Sequence, residues 1–208
     1  MAPSRVSLSE DPEAALAAAA GILAGGGVAI FPTETVYGVG AAAGCPEALA
    51  RLRRLKGRED GKPFQFLAAD LEMARALGVR VTPEAERLAR RFWPGPLTLV
   101  MPSEKGGEGV GIRIPDAPFV LALCRRLGRA LVASSANPAG APPPTDAQAA
   151  EVFGEAVDIL VDGGRTDGAP STVASCLDGE LRILRPGALD PLFLFAAWRE
   201  GRGDEPPV

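Results

Sequence analysis

The chain has 208 residues, 47% of them hydrophobic and 23% charged, with a net charge of −4 at pH 7. That apolar content excludes a disordered chain, and the length favours one domain large enough to bury a sizeable core. The acidic balance argues against a generally basic nucleic-acid-binding surface, and the complete lack of histidine excludes Ser-His-Asp and Cys-His catalysis and His-ligated metals.

Asp11-Pro12 predicts the cap and first turn of a helix running to about Ala24, which Gly25-Gly26-Gly27 ends. Residues 28–31 form a short apolar run and read as a buried strand, followed by a loop over 32–44. Residues 46–54 are helical, 56–62 a polar loop, and 64–68 a second strand. Helices follow over 70–77 and 82–92, the second opened by Thr82-Pro83-Glu84. Trp93-Pro94-Gly95-Pro96 is a rigid turn into a strand at 97–101, and another strand covers 110–114. Asp116 is expected to cap a helix through Leu127, and a strand at 130–133 feeds the loop 134–144. Thr145 is expected to cap the next helix, and 158–161 reads as a strand. Asp178-Gly179 between 172–176 and 181–184 is the strongest hairpin signal in the chain. A last helix is expected over 190–199.

This alternation, with at least one hairpin, predicts an α/β fold with a mixed parallel and antiparallel sheet. One domain over 1–200 and a flexible tail over 201–208 are expected. The 25 glycines and 20 prolines show no G-X-Y period, so they punctuate many short elements. Cys45, Cys124 and Cys176 are scattered and form no CxxC, which argues against a disulfide framework or a zinc site. The scattered cysteines fit a reducing cytosol, so a cytoplasmic protein is expected, and the apolar run at 14–31, broken by glycines, reads as neither signal peptide nor membrane span.

Four loops are oddly specified for mere connections. In residues 31–40, Thr33, Glu34, Thr35 and Tyr37 lie beside two glycines that let a ligand approach the backbone; a turn-rich connection is the competing reading. Lys56, Arg58 and Lys62 put three cations in seven residues, a set that can hold a polyphosphate but can equally be a solvated loop. It is not a Walker A loop, because Pro63 stands where Ser or Thr would hold magnesium. Ile112 and Ile114 point to one face, so Arg113 points to the other and needs an anion, from the protein or from a ligand. Ser134-Ser135-Ala136-Asn137 follows an apolar strand directly, where open α/β sheets bind ligands.

Taken in order, FPTETVYG at 31–38, KGR at 56–58 with Lys62-Pro63, WPGPLT at 93–98, GIRIP at 111–115, SSANPAG at 134–140, STV at 171–173 and LRPG at 184–187 resemble the YrdC/TsaC family of threonylcarbamoyl-AMP synthases, in its short single-domain form. The resemblance covers residues 10–190 and implies a YrdC-like twisted open fold around a concave ligand cavity. It implies a nucleotidyltransferase that makes threonylcarbamoyl-AMP and pyrophosphate from L-threonine, bicarbonate and ATP, for a TsaD-type transferase complex that modifies tRNA. It further implies Lys56 and Arg58 as catalytic cations, and Arg58, Lys62, Ser135, Asn137 and Arg185 on ATP. Thr33, Thr35, Arg113 and Ser171 would face threonine. Magnesium would arrive with ATP, without protein ligands. Glu59, Leu67, Pro143 and Pro170 depart from the family's usual residues, Leu67 standing where a polar side chain usually meets threonine. The alternative is a YrdC-like paralogue that binds structured RNA through its concave face without synthase activity; a third reading, carbamoyl-adenylate formation, belongs to longer multidomain chains.

Overall fold

Three helices begin where the sequence places a capping side chain before proline. In the computed structural model, which describes residues 2–57, 63–166 and 168–200, Asp11 accepts the Ala14 N–H at 2.9 Å to open α1 (Pro12–Ala24). Thr82 does the same for α4 (Pro83–Phe92) and Asp190 for α7 (Pro191–Arg199). Asp70 caps the short α3 (Leu71–Arg75) without a proline. Two helices, α2 (Pro46–Leu55) and α5 (Pro118–Leu127), start at proline with no side-chain cap. Asp116 therefore does not cap α5; that position falls to Ala117, and the Asp116 N–H donates to Glu34 Oε1 at 3.0 Å. Thr145 stands two residues before α6 (Ala147–Ala150), its carbonyl accepting the Thr166 N–H instead.

Ten strands among the described residues form one sheet in the order β1-β8-β2-β3-β7-β4-β6-β5-β9-β10. They are β1 (Ser4–Ser7), β2 (Val28–Phe31), β3 (Gly38–Ala42), β4 (Gln65–Leu67), β5 (Leu97–Met101), β6 (Val110–Arg113), β7 (Leu131–Ser135), β8 (Ile159–Asp162), β9 (Thr172–Ser175) and β10 (Arg182–Arg185). Pairs β1–β8, β2–β8, β4–β6 and β5–β9 are parallel and the rest antiparallel, so the expected mixed sheet is present. Asp178 and Gly179 take φ of 54° and 72° and close the β9–β10 hairpin, as their sequence predicts.

Two strands escape a reading by pattern. β1 is short and half exposed, with no apolar run. β3 lies inside the expected 32–44 loop because its Gly-Val-Gly sequence carries low strand propensity. The sheet requires those glycines. A Cβ at Gly38 would lie 3.0 Å from the Phe31 ring, and one at Gly40 would lie 2.7 Å from the Val132 carbonyl oxygen. The backbone is the seat on which Phe31 packs.

Period-2 alternation then assigns each face. Ala29 and Phe31 of β2 enter the core beneath α1 and α5, while Val28 and Ile30 enter a second core with Leu52 of α2. In β5 and β6, Leu97, Leu99, Met101 and Ile112 pack beneath α4 and α7. Their alternates, Thr98, Val100, Gly111 and Arg113, line a cavity on the other face.

Candidate active site

That cavity has a volume of about 370 Å³. Strands β4, β5, β6 and β9 form its floor, and the ends of β7 and β10 bring in Ser134, Ser135 and Arg185.

Arg113 is 3% exposed and is the best-anchored cation there. Its Nε donates to the Gly95 carbonyl at 3.1 Å, and Nη1 and Nη2 both donate to Thr35 Oγ1 at 3.0 Å. Nη2 also pairs with Glu34 Oε1 at 2.6 Å. Burial pulls the guanidinium below its ordinary pKa, and the Glu34 charge opposes that shift. Sequence left the anion open; in the ligand-free protein it is Glu34. Counting five N–H groups on the guanidinium leaves one Nη1 hydrogen without a partner among the described residues. Glu34 is also incompletely satisfied, since its Oε2 is buried without a hydrogen-bond partner.

The hydroxyls behind Arg113 are fixed in direction. Thr33 Oγ1 donates to the Val36 carbonyl at 2.7 Å, so the 2.9 Å contact between the two threonines has Thr35 as donor. Thr33 additionally accepts the N–H groups of Thr35 and Val36, both at 3.2 Å. Both threonines are buried, and neither lies on the cavity lining. Thr33 holds the turn, and Thr35 stands directly behind the Arg113 guanidinium. Tyr37, the phenol of the same loop, is fully buried and bonded to Gly163 and Gly164, so it serves packing.

A second chain of hydroxyls forms the other wall, running from Ser171 through Thr98 on β5 to Gln65 on β4, the two strands that flank β6. Thr98 Oγ1 donates to Gln65 Oε1 at 2.8 Å and lies 3.0 Å from Ser171 Oγ. Arg185 Nη2 donates to the Ser171 carbonyl at 2.7 Å and to its Oγ at 3.4 Å. Gly187 makes this approach possible, because a Cβ there would lie 2.2 Å from the Pro170 carbonyl oxygen. Ser171 and Arg185 thus sit together on the cavity.

Lys56 is 3% exposed. Its Nζ donates to the Ser135 carbonyl at 2.8 Å and to the Asn137 carbonyl, fastening the loop after β7. Asn137 Nδ2 holds the carbonyls of Pro138 and Ala141 at 2.9 and 2.7 Å, while its Oδ1 is buried without a partner. Lys56 and Asn137 are absent from the cavity lining and shape the loop that presents Ser135. Leu67 is 2% exposed and packs with Leu131 and Cys124, away from any polar role. Arg58 and Lys62 lie outside the described residues. Sequence did not single out Gln65 and Thr98; their link spans 33 residues and has no local signal.

A larger cleft of about 720 Å³ opens between the starts of α1 and α5. Its lining is mainly apolar with Asp11, Glu13, Glu34 and Asp116 and, among the described residues, contains no cation, so it is a poor seat for a nucleotide.

Comparison with known proteins fits the constellation. The family model Sua5_yciO_yrdC, described as "Telomere recombination", matches residues 21–187. The chain is 41% identical over 193 residues to a threonylcarbamoyl-AMP synthase of Bacillus subtilis, covering 87% of this chain and 55% of that protein. It is 35% identical over 185 residues to one of Thiobacillus denitrificans, covering 85% of this chain and 98% of that protein. The crystal structure of Pyrococcus abyssi Sua5 complexed with L-threonine superposes with a TM-score of 0.86 at 35% identity, covering 93% of this chain and 60% of that one. The chain therefore spans between half and two thirds of two of these relatives. The ordered motifs, the mixed sheet with its cavity and the family model agree, and the chain belongs to the Sua5/YciO/YrdC family.

Proposed function

We propose that the chain is a threonylcarbamoyl-AMP synthase. The observation that carries this reading is the cavity between Arg113 and Ser171–Arg185: a buried guanidinium on one side, hydroxyls and a second guanidinium on the other. Such a site suits an amino acid beside a nucleotide and, among the described residues, contains no strong nucleophile. The chemistry requires none. The threonine amine adds to bicarbonate or carbon dioxide to give a carbamate. A carbamate oxygen then attacks the α-phosphorus of ATP, and pyrophosphate leaves; with bicarbonate, one water is released. Catalysis is positioning and charge stabilisation.

In this reading the threonine carboxylate takes the spare Nη1 hydrogen of Arg113 and competes with Glu34 for Nη2. Lys56 holds the loop that presents Ser135 to ATP, and Asn137 Oδ1 offers an acceptor at that loop. Arg185 lies toward the nucleotide, and Arg58 and Lys62 supply charge to the polyphosphate. Magnesium enters with ATP as part of the substrate. A TsaD-type transferase would pass the threonylcarbamoyl group to tRNA, in the cytoplasm; among the described residues no helix is long and apolar enough to cross a membrane.

The test is chromatography of adenylates formed from labelled bicarbonate and ATP with threonine, serine or no amino acid. Threonine-dependent label in an adenylate, with pyrophosphate release, supports the reading. Amino-acid-independent label, or none, overturns it.

A further inference from the structure

We propose that Gln65 is a positioning residue that fixes the hydrogen-bond polarity of Ser171 toward the amino-acid substrate. The inference rests on the reading of Ser171 as an amino-acid contact. A threonine hydroxyl has one proton, and that of Thr98 is committed to Gln65 Oε1 at 2.8 Å. In the 3.0 Å contact with Ser171, Thr98 can then only accept, so Ser171 must donate. Ser171 Oγ has no further proton. One of its lone pairs faces Arg185 Nη2 at 3.4 Å, and the other is left for a ligand in the cavity that Ser171 lines.

Ser171 therefore meets substrate as an acceptor, suited to an N–H or O–H group of the amino acid. The direction of the chain is decided at its far end, by an amide carbonyl that cannot donate. Gln65 is half-buried and lines the same cavity, and its Nε2 has no partner among the described residues. A hydrophobic residue at 65 would free the Thr98 proton to turn toward Ser171, and Ser171 could then present its own proton to substrate in place of a lone pair.

The experiment compares Gln65→Met, Thr98→Val and the double variant. Steady-state adenylate formation gives KM for threonine and for ATP, and calorimetric titration with L-threonine gives binding without turnover. Melting temperatures report on folding, and Thr98→Val breaks the same chain one link on should Gln65→Met fold poorly. Each single variant is expected to weaken threonine about tenfold, about 1.4 kcal/mol, with the ATP KM changed less than twofold. The double variant should be no worse than the poorer single, because both remove one chain. A threonine KM within twofold of wild type in Gln65→Met, or effects that multiply in the double variant, overturns the proposal while wild-type activity leaves the synthase reading standing. A wild type that binds threonine but releases no pyrophosphate overturns the synthase reading, and the titrations still decide the role of Gln65. A wild type that binds no threonine overturns both.

Discussion

The two walls of the cavity use the same residue types for different work. On one side the chain runs from Arg113 through Thr35 and Thr33 to the Val36 carbonyl, and every member is buried. On the other it runs from Arg185 through Ser171 and Thr98 to the side chain of Gln65, and Arg185, Ser171, Thr98 and Gln65 all line the cavity. A chain that ends on backbone cannot be retuned by substitution, so the first wall is a fixed support. A chain that ends on a side chain can be, so the second wall is where this sequence can adjust recognition. The end point makes the difference, since Thr98 and Ser171 are as buried as Thr35 and Arg113: the first chain closes on the backbone, and the second closes on a cavity-lining side chain.

The largest expected effect breaks the fixed wall. Arg113→Ala removes the charge facing Glu34, whose side chain is only 19% exposed and whose Oε2 already lacks a partner. Stranding a largely buried carboxylate costs roughly 3 kcal/mol, so melting should drop as well as catalysis. Threonine KM should rise at least tenfold, with ATP affinity changed much less. Adding Glu34→Gln should recover stability but not threonine binding. If it restores both, Arg113 is a structural ion-pair member and not the carboxylate's partner.

Next comes Lys56→Ala, with at least a tenfold loss of adenylate formation, about 1.4 kcal/mol of transition-state stabilisation. Two donors of its Nζ hold the carbonyls of Ser135 and Asn137, so the variant should also loosen the loop after β7. Amide exchange in residues 135–141 should therefore quicken in the variant. Unchanged exchange with lost activity would return Lys56 to the polyphosphate.

A smaller effect tests the adjustable wall through its backbone. Gly187→Ala places a Cβ 2.2 Å from the Pro170 carbonyl oxygen, so the segment bearing Ser171, just before β9, must shift. A roughly fivefold rise in threonine KM, about 1 kcal/mol, is expected. No change would mean that Ser171 is not held to the position it occupies here.

What could be read from sequence follows from how local each signal is. Asp-Pro and Thr-Pro helix starts and the Asp178-Gly179 hairpin depend on adjacent residues, and all appear as expected. The alternation of Ile112 and Arg113 placed the arginine on the cavity face. Glu34 as its counter-ion was invisible, because 79 residues separate the pair and only the sheet brings them together. β3 was hidden for the opposite reason. Its glycines are unfavourable in a strand taken alone and are required only by the Phe31 ring packed on them. Asp116 looked like a cap by residue type but is used through its backbone N–H to fix Glu34.

The smallest expected effect concerns groups that neither wall uses. Cys124 and Cys176 are 0% and 2% exposed, and burial pushes both thiols up to about 12. At pH 7.5 the thiolate fraction of each is then on the order of one part in 10⁴ or less, and the thiolate is the reactive form. Cys45 is more accessible and lies against Gly26, at the far end of β2 from the loop that backs Arg113. Iodoacetamide at pH 7.5 should label Cys45 first, leave Cys124 and Cys176 unmodified in the native state, and leave adenylate formation unchanged. Both buried cysteines should become labelled once the protein is unfolded in guanidinium. Loss of turnover that tracks Cys45 labelling would bring the start of α2 into the site, because a bulky group there would have to act through the helix that carries Lys56 at its end. Native-state labelling of Cys124 would instead report opening of the core beneath α1 and α5, on which the Phe31 ring and the fixed wall depend.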